Sequence, residues 1–175
     1  RRMGRIIQNL RAFARQESGP ITDVDLVAVI QAALEVTADK LKRHRVTLDY
    51  TAPQAPVSVR GGEVRLQQVI VNLLSNAVDA MSETDDRRIE IRIDTGDAVR
   101  LTIRDTGPGI TNPDRVFDPF YTTKEVGAAE GMGLGLSISY GLVQSFGGSI
   151  RGANHPKGGA EFTVDLVPAE LEAAA

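Results

Sequence analysis

Two hydrophobic periods, one helical and one strand-like, take turns along the chain. Over residues 1–16 the apolar positions Met3, Ile6, Ile7, Leu10, Phe13 and Ala14 recur at steps of three and four, the narrow stripe of a helix that expects a coiled-coil-like partner. Glu17, Ser18, Gly19 and Pro20 break that helix, and a domain boundary is placed there. Leu26, Val29, Ile30, Ala33, Leu34, Thr37 and Leu41 predict a second helix from about Asp25, with short strands following at 46–51 and 57–60. The most regular face belongs to a third helix over 62–81, where Leu66, Val69, Ile70, Leu73, Leu74, Ala77, Val78 and Met81 form one apolar surface.

The period then changes to two. Ile89, Ile91 and Ile93 alternate with polar residues, and after the turn at Thr95, Gly96, Asp97 and Ala98 the alternation resumes as Val99, Leu101 and Ile103, predicting a β-hairpin. Residues 111–131 carry little pattern and are too long for an ordinary connection, which marks them as functional or mobile. A helix over 134–146 closed by Gly147 and Gly148, then strands at 149–153 and 161–166, complete the chain. No internal repeat is visible. Helices mixed with mainly antiparallel strands predict an α+β fold, a two-layer α/β sandwich with helices on one face of a mixed sheet.

Composition narrows the function. With 175 residues the chain holds one main unit, and 42% hydrophobic with 25% charged residues is ordinary for a soluble globular protein. A formal net charge of -3 argues against holding nucleic acid by bulk electrostatics, so Arg1, Arg2, Arg5, Arg11 and Arg15 read as a solvated basic helix face. Absence of cysteine excludes disulfides, thiolate zinc sites and a cysteine nucleophile, and is consistent with cytosol. No run of about 18 apolar residues spans a membrane, and the basic start lacks the apolar core of a signal peptide. A chain that starts in mid-helix without Met is expected to be a piece of a longer protein, which leaves an upstream membrane segment open.

Three sets of residues carry candidate chemistry. On the third helix Gln68, Asn72, Asn76 and Asp79 fall at offsets of four, four and three, one polar stripe opposite the apolar face. A plain solvent face would favour Lys and Glu, whereas two Asn are poor mid-helix residues, and a carboxamide oxygen suits Mg²⁺ bridging phosphates. If Val99, Leu101 and Ile103 face the core, the pleat turns Asp105 the same way. That carboxylate, followed by Thr106, Gly107, Pro108 and Gly109, either caps a tight turn or accepts a hydrogen bond from an exocyclic amine such as that of adenine. Gly131, Met132, Gly133, Leu134, Gly135 and Leu136 precede and open a helix, offering N–H groups to an anion. This run fits neither the dinucleotide fingerprint nor the Walker A pattern.

Taken in order, these segments resemble a known family. QQVIVNLLSNAVDAM (67–81) resembles the N box, DTGPGI (105–110) the first glycine box, FDPFYTTK (117–124) the F box and GMGLGLSI (131–138) the second glycine box of sensor histidine kinases of the GHKL superfamily. The resemblance runs from Asp23 to Pro168, and RRMGRIIQNLRAFAR (1–15) resembles the end of the second helix of a dimerisation and histidine-phosphotransfer domain. Within the family it most resembles nitrogen-regulatory and dicarboxylate-sensing kinases, whose N box typically ends like DAM. The resemblance implies a Bergerat-type ATP-binding fold divided as a 1–19 helical stub, a 20–168 catalytic domain and a 169–175 tail.

It also implies roles. Asn76 would coordinate Mg²⁺, Asp105 would read the adenine amino group, Gly107 and Gly109 would shape the base pocket, and Ile110 would be among the nucleotide contacts. Gly131, Gly133, Leu134, Gly135 and Leu136 would close on the phosphates of ATP, with 111–131 as the lid. Asn72, Asn76 and Lys124 are the catalytic candidates, and Asn72, Thr123 and Lys124 join the nucleotide contacts. An exposed loop Lys without a role is the competing reading of Lys124. Two departures stand out: Ala160 follows the Gly158, Gly159 pair where many relatives have Thr or Ser, and Asp79 occupies a position where many have a basic residue.

The implied activity is transfer of the ATP γ-phosphoryl group to a histidine on a domain absent from this chain, in a full-length homodimer that then serves a response regulator. The resemblance places this domain in the cytoplasm, with anchoring of the parent in the inner membrane left open. His44 in LKRHRV and His155 in ANHPKGG read as surface residues and not as phosphate acceptors. Type II topoisomerases, mismatch-repair proteins and the ninety-kilodalton heat-shock chaperone share this fold and hydrolyse ATP with a Glu one turn before the metal Asn. Here that position is Asn72, which cannot take a proton from water. A GHKL-type ATPase and a non-catalytic ATP-binding interaction module are the alternatives.

Overall fold

A computed structural model of the chain describes residues 19–118 and 134–169. The helix expected over 1–16, residues 119–133 and all of the C-terminal tail but Ala169 lie outside the described residues.

The first described elements are a strand, β1 (Thr22–Asp25), and a helix, α1 (Leu26–Arg43). Asp25 caps the helix, accepting the Val27 N–H at 3.0 Å and also the Val57 N–H at 3.2 Å, which satisfies an otherwise unpaired first-turn donor. Lys40, Lys42 and Arg43 in its last turn suit the negative end of the helix dipole. Arg45, at φ 55°, turns the chain out through the left-handed region where glycine is usual. Two strands follow, β2 (Thr47–Asp49) and β3 (Ser58–Gly61).

The second helix, α2 (Glu63–Ala80), buries Leu66, Val69, Ile70, Leu73, Leu74, Ala77 and Val78, the face that the sequence pattern predicts. Complete burial of one Leu or Ile contributes about 1.5–3 kcal/mol, so this face is the main anchor of the helical layer. It packs between α1 and a third helix, α3 (Leu134–Ser145), which ends before Gly147 at φ 76°.

The other strands are β4 (Arg88–Asp94), β5 (Val99–Asp105), β6 (Ser149–Asn154) and β7 (Ala160–Leu166). They build a five-stranded sheet in the order β2-β4-β5-β7-β6, parallel between β2 and β4 and antiparallel elsewhere. The predicted hairpin is β4 and β5, with Ile91 opposite Ile103. Ile89, Ile91, Leu101, Ile103, Val164 and Leu166 are buried beneath the helices. The opposite face carries charge: Arg92 pairs with Glu90, and Asp165 accepts from Arg100 at 2.8 Å and Arg151 at 2.9 Å. One apolar and one charged face make this the expected two-layer sandwich.

Two details depart from the pattern. The strand expected at 57–60 pairs with β1 in a separate two-stranded ribbon, Val24 opposite Val59, and not in the main sheet. Thr22–Asp25 had no visible strand signal, because Val24 is the one buried residue among its four.

Arg65 is a charged residue on the apolar face of α2, 5% exposed. Its guanidinium donates to the carbonyls of Gly19 at 3.1 Å and Pro20 at 2.7 Å and lies 5.1 Å from the centre of the Phe146 ring. These contacts offset the cost of burying the charge. They also tie the segment leading into the domain to its core.

Candidate nucleotide-binding site

Asp105 ends β5, and the pleat that buries Val99, Leu101 and Ile103 buries it too, at 3% exposure. Its Oδ1 accepts the Gly107 N–H at 2.8 Å and the Ala160 N–H at 3.3 Å. Oδ2 has no hydrogen-bond partner among the described residues, so it is the acceptor available to a ligand. Burial pushes this carboxyl above the usual carboxylate range, while the two backbone donors and nearby Arg104 pull the other way.

The residues after Asp105 turn tightly around it. A Cβ on Gly107 would stand 3.0 Å from both the Ala80 carbonyl oxygen and Asp105 Oδ1, so the first glycine box lies against the last turn of α2 with room for hydrogen only. Gly109 has φ 90°, and a Cβ there would stand 2.5 Å from Asn154 Oδ1. Thr106 fastens the other side, donating to the Asp86 carbonyl at 2.6 Å and accepting the Arg88 N–H at 2.9 Å. Ile110, assigned to the nucleotide contacts, is half-buried against the core.

At the helical wall, Asn72 donates through Nδ2 to the Gly135 carbonyl and to Ser139 Oγ, each at 3.3 Å. It therefore joins α2 to the first turn of α3, where Gly135 and Leu136 lie. Asn76 is one turn further along the same stripe, half-buried, and its side chain has no hydrogen-bond partner among the described residues. Such a carboxamide fits a metal-ligand role. No cluster of His, Asp or Glu suited to a metal exists among the described residues, so Mg²⁺ held by Asn76 would take its other ligands from phosphate and water.

Asp79 faces α1, where it pairs with Lys40 at 2.9 Å, and Lys40 also donates to Ser75 Oγ at 2.7 Å. The acid at a position often basic in relatives is thus part of the helix–helix contact. At the other departure, Ala160 has no hydroxyl but meets Asp105 through its backbone N–H.

Asn72 thus meets Gly135 where α2 adjoins the start of α3, Asp105 and Gly107 lie where the end of β5 adjoins the last turn of α2, with Gly109 and Ile110 following, and Asn76 stands between these two places along α2. Thr123, Lys124, Gly131 and Gly133 lie outside the described residues, as does the side chain of Leu134. Of the stretch 111–131, residues 111–118 are described and are better anchored than their composition predicts. Val116 is 4% exposed, and the Phe117 ring lies 5.5 Å from Tyr140 and 6.2 Å from Phe162.

Asn154 and Arg104 escaped the sequence reading. Asn154 accepts the Ile110 N–H at 2.6 Å and donates to the Ile110 carbonyl at 3.0 Å. Arg104 donates to the Gly158 carbonyl at 3.1 Å, bracing the turn whose Gly159 abuts the Asp105 backbone. Neither has a local signature, since the partners are 44 and 54 residues away.

Comparison with known proteins agrees with this geometry. The profile of the histidine kinase-, DNA gyrase B- and HSP90-like ATPase family matches residues 61–171. The chain is 39% identical to the C4-dicarboxylate transport sensor protein DctB of Pseudomonas aeruginosa over 95% of its own length and 28% of that protein's. It is 35% identical to the C4-dicarboxylate transport sensor protein DctS of Rhodobacter capsulatus over 97% of the chain and 26% of the relative. It thus spans little more than a quarter of the length of these relatives. Among solved structures, the nucleotide-free catalytic domain of histidine kinase ThkA superposes with a TM-score of 0.74 at 27% identity, covering 86% of this chain and 97% of that one. By these matches the chain belongs to the family of histidine kinase-, DNA gyrase B- and HSP90-like ATPases, as an ATP-binding catalytic domain of the sensor histidine kinase type.

Proposed function

We propose that this domain binds ATP with Mg²⁺ and presents the γ-phosphoryl group to a histidine on another domain of its parent protein. The observation that carries the reading is Asn72. Related ATPases need a carboxylate base at that position to draw a proton from water, whereas the carboxamide here is hydrogen-bonded to Gly135 and Ser139 and cannot take one. A site that holds ATP without activating water favours transfer to a nucleophile brought from elsewhere.

This chain's own histidines do not fit the acceptor role. His44 caps the end of α1, its carbonyl accepting from Arg87 at 2.8 Å. The His155 ring accepts the Lys157 N–H at 3.0 Å and faces Glu161 at 3.7 Å. In the proposed assignment Asp105 Oδ2 accepts from the adenine amino group, Gly107 and Gly109 let the base approach the backbone, and the α3 N-terminus faces the phosphates. Asn76 would hold Mg²⁺, whose charge would be balanced by phosphate oxygens. Lys124 and Thr123 are proposed polyphosphate contacts, Gly131 and Gly133 the backbone that closes over it, and 111–131 the lid. Transfer breaks the bond from the γ-phosphorus to the bridging oxygen of ADP and forms a phosphorus–nitrogen bond on the incoming imidazole, which gives up its ring proton.

The parent is proposed to be a homodimer that hands its phosphoryl group to a response regulator. Incubation with γ-labelled ATP tests the reading. The chain alone should incorporate no label and turn over no ATP, while addition of a dimerisation domain with its histidine should yield acid-labile label. Labelling of the chain alone, or hydrolysis at the rate of a dedicated ATPase, would refute it.

A further inference from the structure

We infer that Asn154 is a positioning residue for the adenine end of the site, acting through the backbone of Ile110. It stands at the end of β6, opposite Ala160 in the β6–β7 register. Its carboxamide meets both backbone polar groups of one residue, accepting from the Ile110 N–H at 2.6 Å and donating to the Ile110 carbonyl at 3.0 Å. The orientation of the amide is chemically forced, because an N–H needs the oxygen opposite it.

These contacts complete a ring. Asp105 accepts the N–H of Ala160, Ala160 pairs with Asn154, and Asn154 clamps Ile110. The loop between Asp105 and Ile110 is therefore held at both ends by one hairpin. Gly109, inside the loop, has φ 90° and leaves no room for a Cβ beside Asn154 Oδ1. The opposing interpretation, an Asn that merely shapes its own turn, does not match the bonds. The turn after β6 closes by itself, with His155 N–H to Gly159 O and Gly158 N–H to His155 O, both at 2.9 Å, and the Asn154 side chain points away to a residue 44 positions earlier.

The inference rests on the proposed role of Asp105 in reading adenine. If the ring sets where the loop lies relative to Asp105 Oδ2, its loss misplaces the base and selectively harms the adenine nucleotide. Binding of ADP and of GDP to the whole chain, measured by titration calorimetry at neutral pH, decides the matter, with melting of the nucleotide-free protein as a control. Wild type should prefer ADP. Asn154→Ala should weaken ADP about tenfold, the scale of losing a pair of modest hydrogen bonds, and should narrow the preference over GDP. Asn154→Asp keeps the acceptor for the Ile110 N–H but sets a carboxylate oxygen against the carbonyl, so it should weaken ADP in the same selective way. It also supplies the measurement should Asn154→Ala fail to fold. Wild-type ADP affinity in the variants, or equal loss for both nucleotides, overturns the positioning role while leaving the Asp105 assignment standing. A wild type with no preference for ADP overturns the Asp105 assignment and this inference with it.

Discussion

Asp105 and Ala160 meet at the junction of β5 and β7, where the Ala160 N–H donates to Asp105 Oδ1 at 3.3 Å and leaves Oδ2 without a partner among the described residues. Ala160 supplies no hydroxyl here, only a main-chain donor that every residue except proline would keep. Under the proposed assignment, specificity for the base rests on Asp105 itself. Asp105→Asn should weaken ATP by about 10- to 100-fold, the range for a hydrogen bond to a charged group, and GTP far less. Competition binding with both nucleotides measures this, and equal losses would remove Asp105 from base recognition.

The same carboxyl predicts a pH response of known sign. Burial raises its folded-state pKa above the usual range, so the folded protein takes up this proton more readily than the unfolded chain. As pH falls through the raised pKa, the cost of the buried charge disappears and the contribution of Asp105 to stability improves. Protonation also changes the acceptor that adenine requires, so ATP affinity should fall over that window. Asp165 behaves oppositely. The Arg100 hydrogen bond, then Arg151, hold its pKa below the ordinary value, and its contribution to stability is lost only as pH falls through that lower pKa. ATP titrations of wild type and Asp105→Asn across acid pH should show the loss of affinity in the wild type alone.

Adjacent glycines should separate strain from collision. Gly158 has φ 101° with open space around its Cα, whereas a Cβ on Gly159, at φ 83°, would overlap the Asp105 carbonyl. Gly158→Ala should cost roughly 1–2 kcal/mol for the left-handed backbone alone. Gly159→Ala adds the clash and should cost roughly 3 kcal/mol or more. Urea unfolding of both variants checks the order, and equal costs would contradict it.

Asn76→Ala should leave the fold within about 0.5 kcal/mol of wild type, since no hydrogen bond to a described residue is lost. What it should reduce is the gain in ATP affinity on adding Mg²⁺. Titrations with Mg²⁺ and with chelator test this, and an unchanged gain would move the metal away from Asn76.

Much of this was legible in the sequence because it repeats locally. The face of α2 follows from eight apolar residues at helical spacing, and the burial of Asp105 follows from continuing the two-residue period beyond Ile103. Asn154 and Arg104 were not legible, since their bonds join residues distant along the chain and a polar residue near a turn has many local explanations. Arg65 gave a signal that could have been taken: it falls four residues before Val69 and eight before Leu73, in phase with the apolar stripe. A cation at that phase demands a buried partner, although the pattern could not say that the partners are carbonyls at 19 and 20.

That arginine has a mechanical consequence. Its guanidinium grips the carbonyls of Gly19 and Pro20 from within the core, so the first described residues of the chain enter the domain at a fixed point. The backbone at 19 and 20 is thereby fixed to α2 near its N-terminus. Asn76 stands eleven residues further along the same rod, about 16 Å away at 1.5 Å per residue. The anchor and the proposed metal ligand thus share one packed helix, and the stiffness between them is that of its backbone.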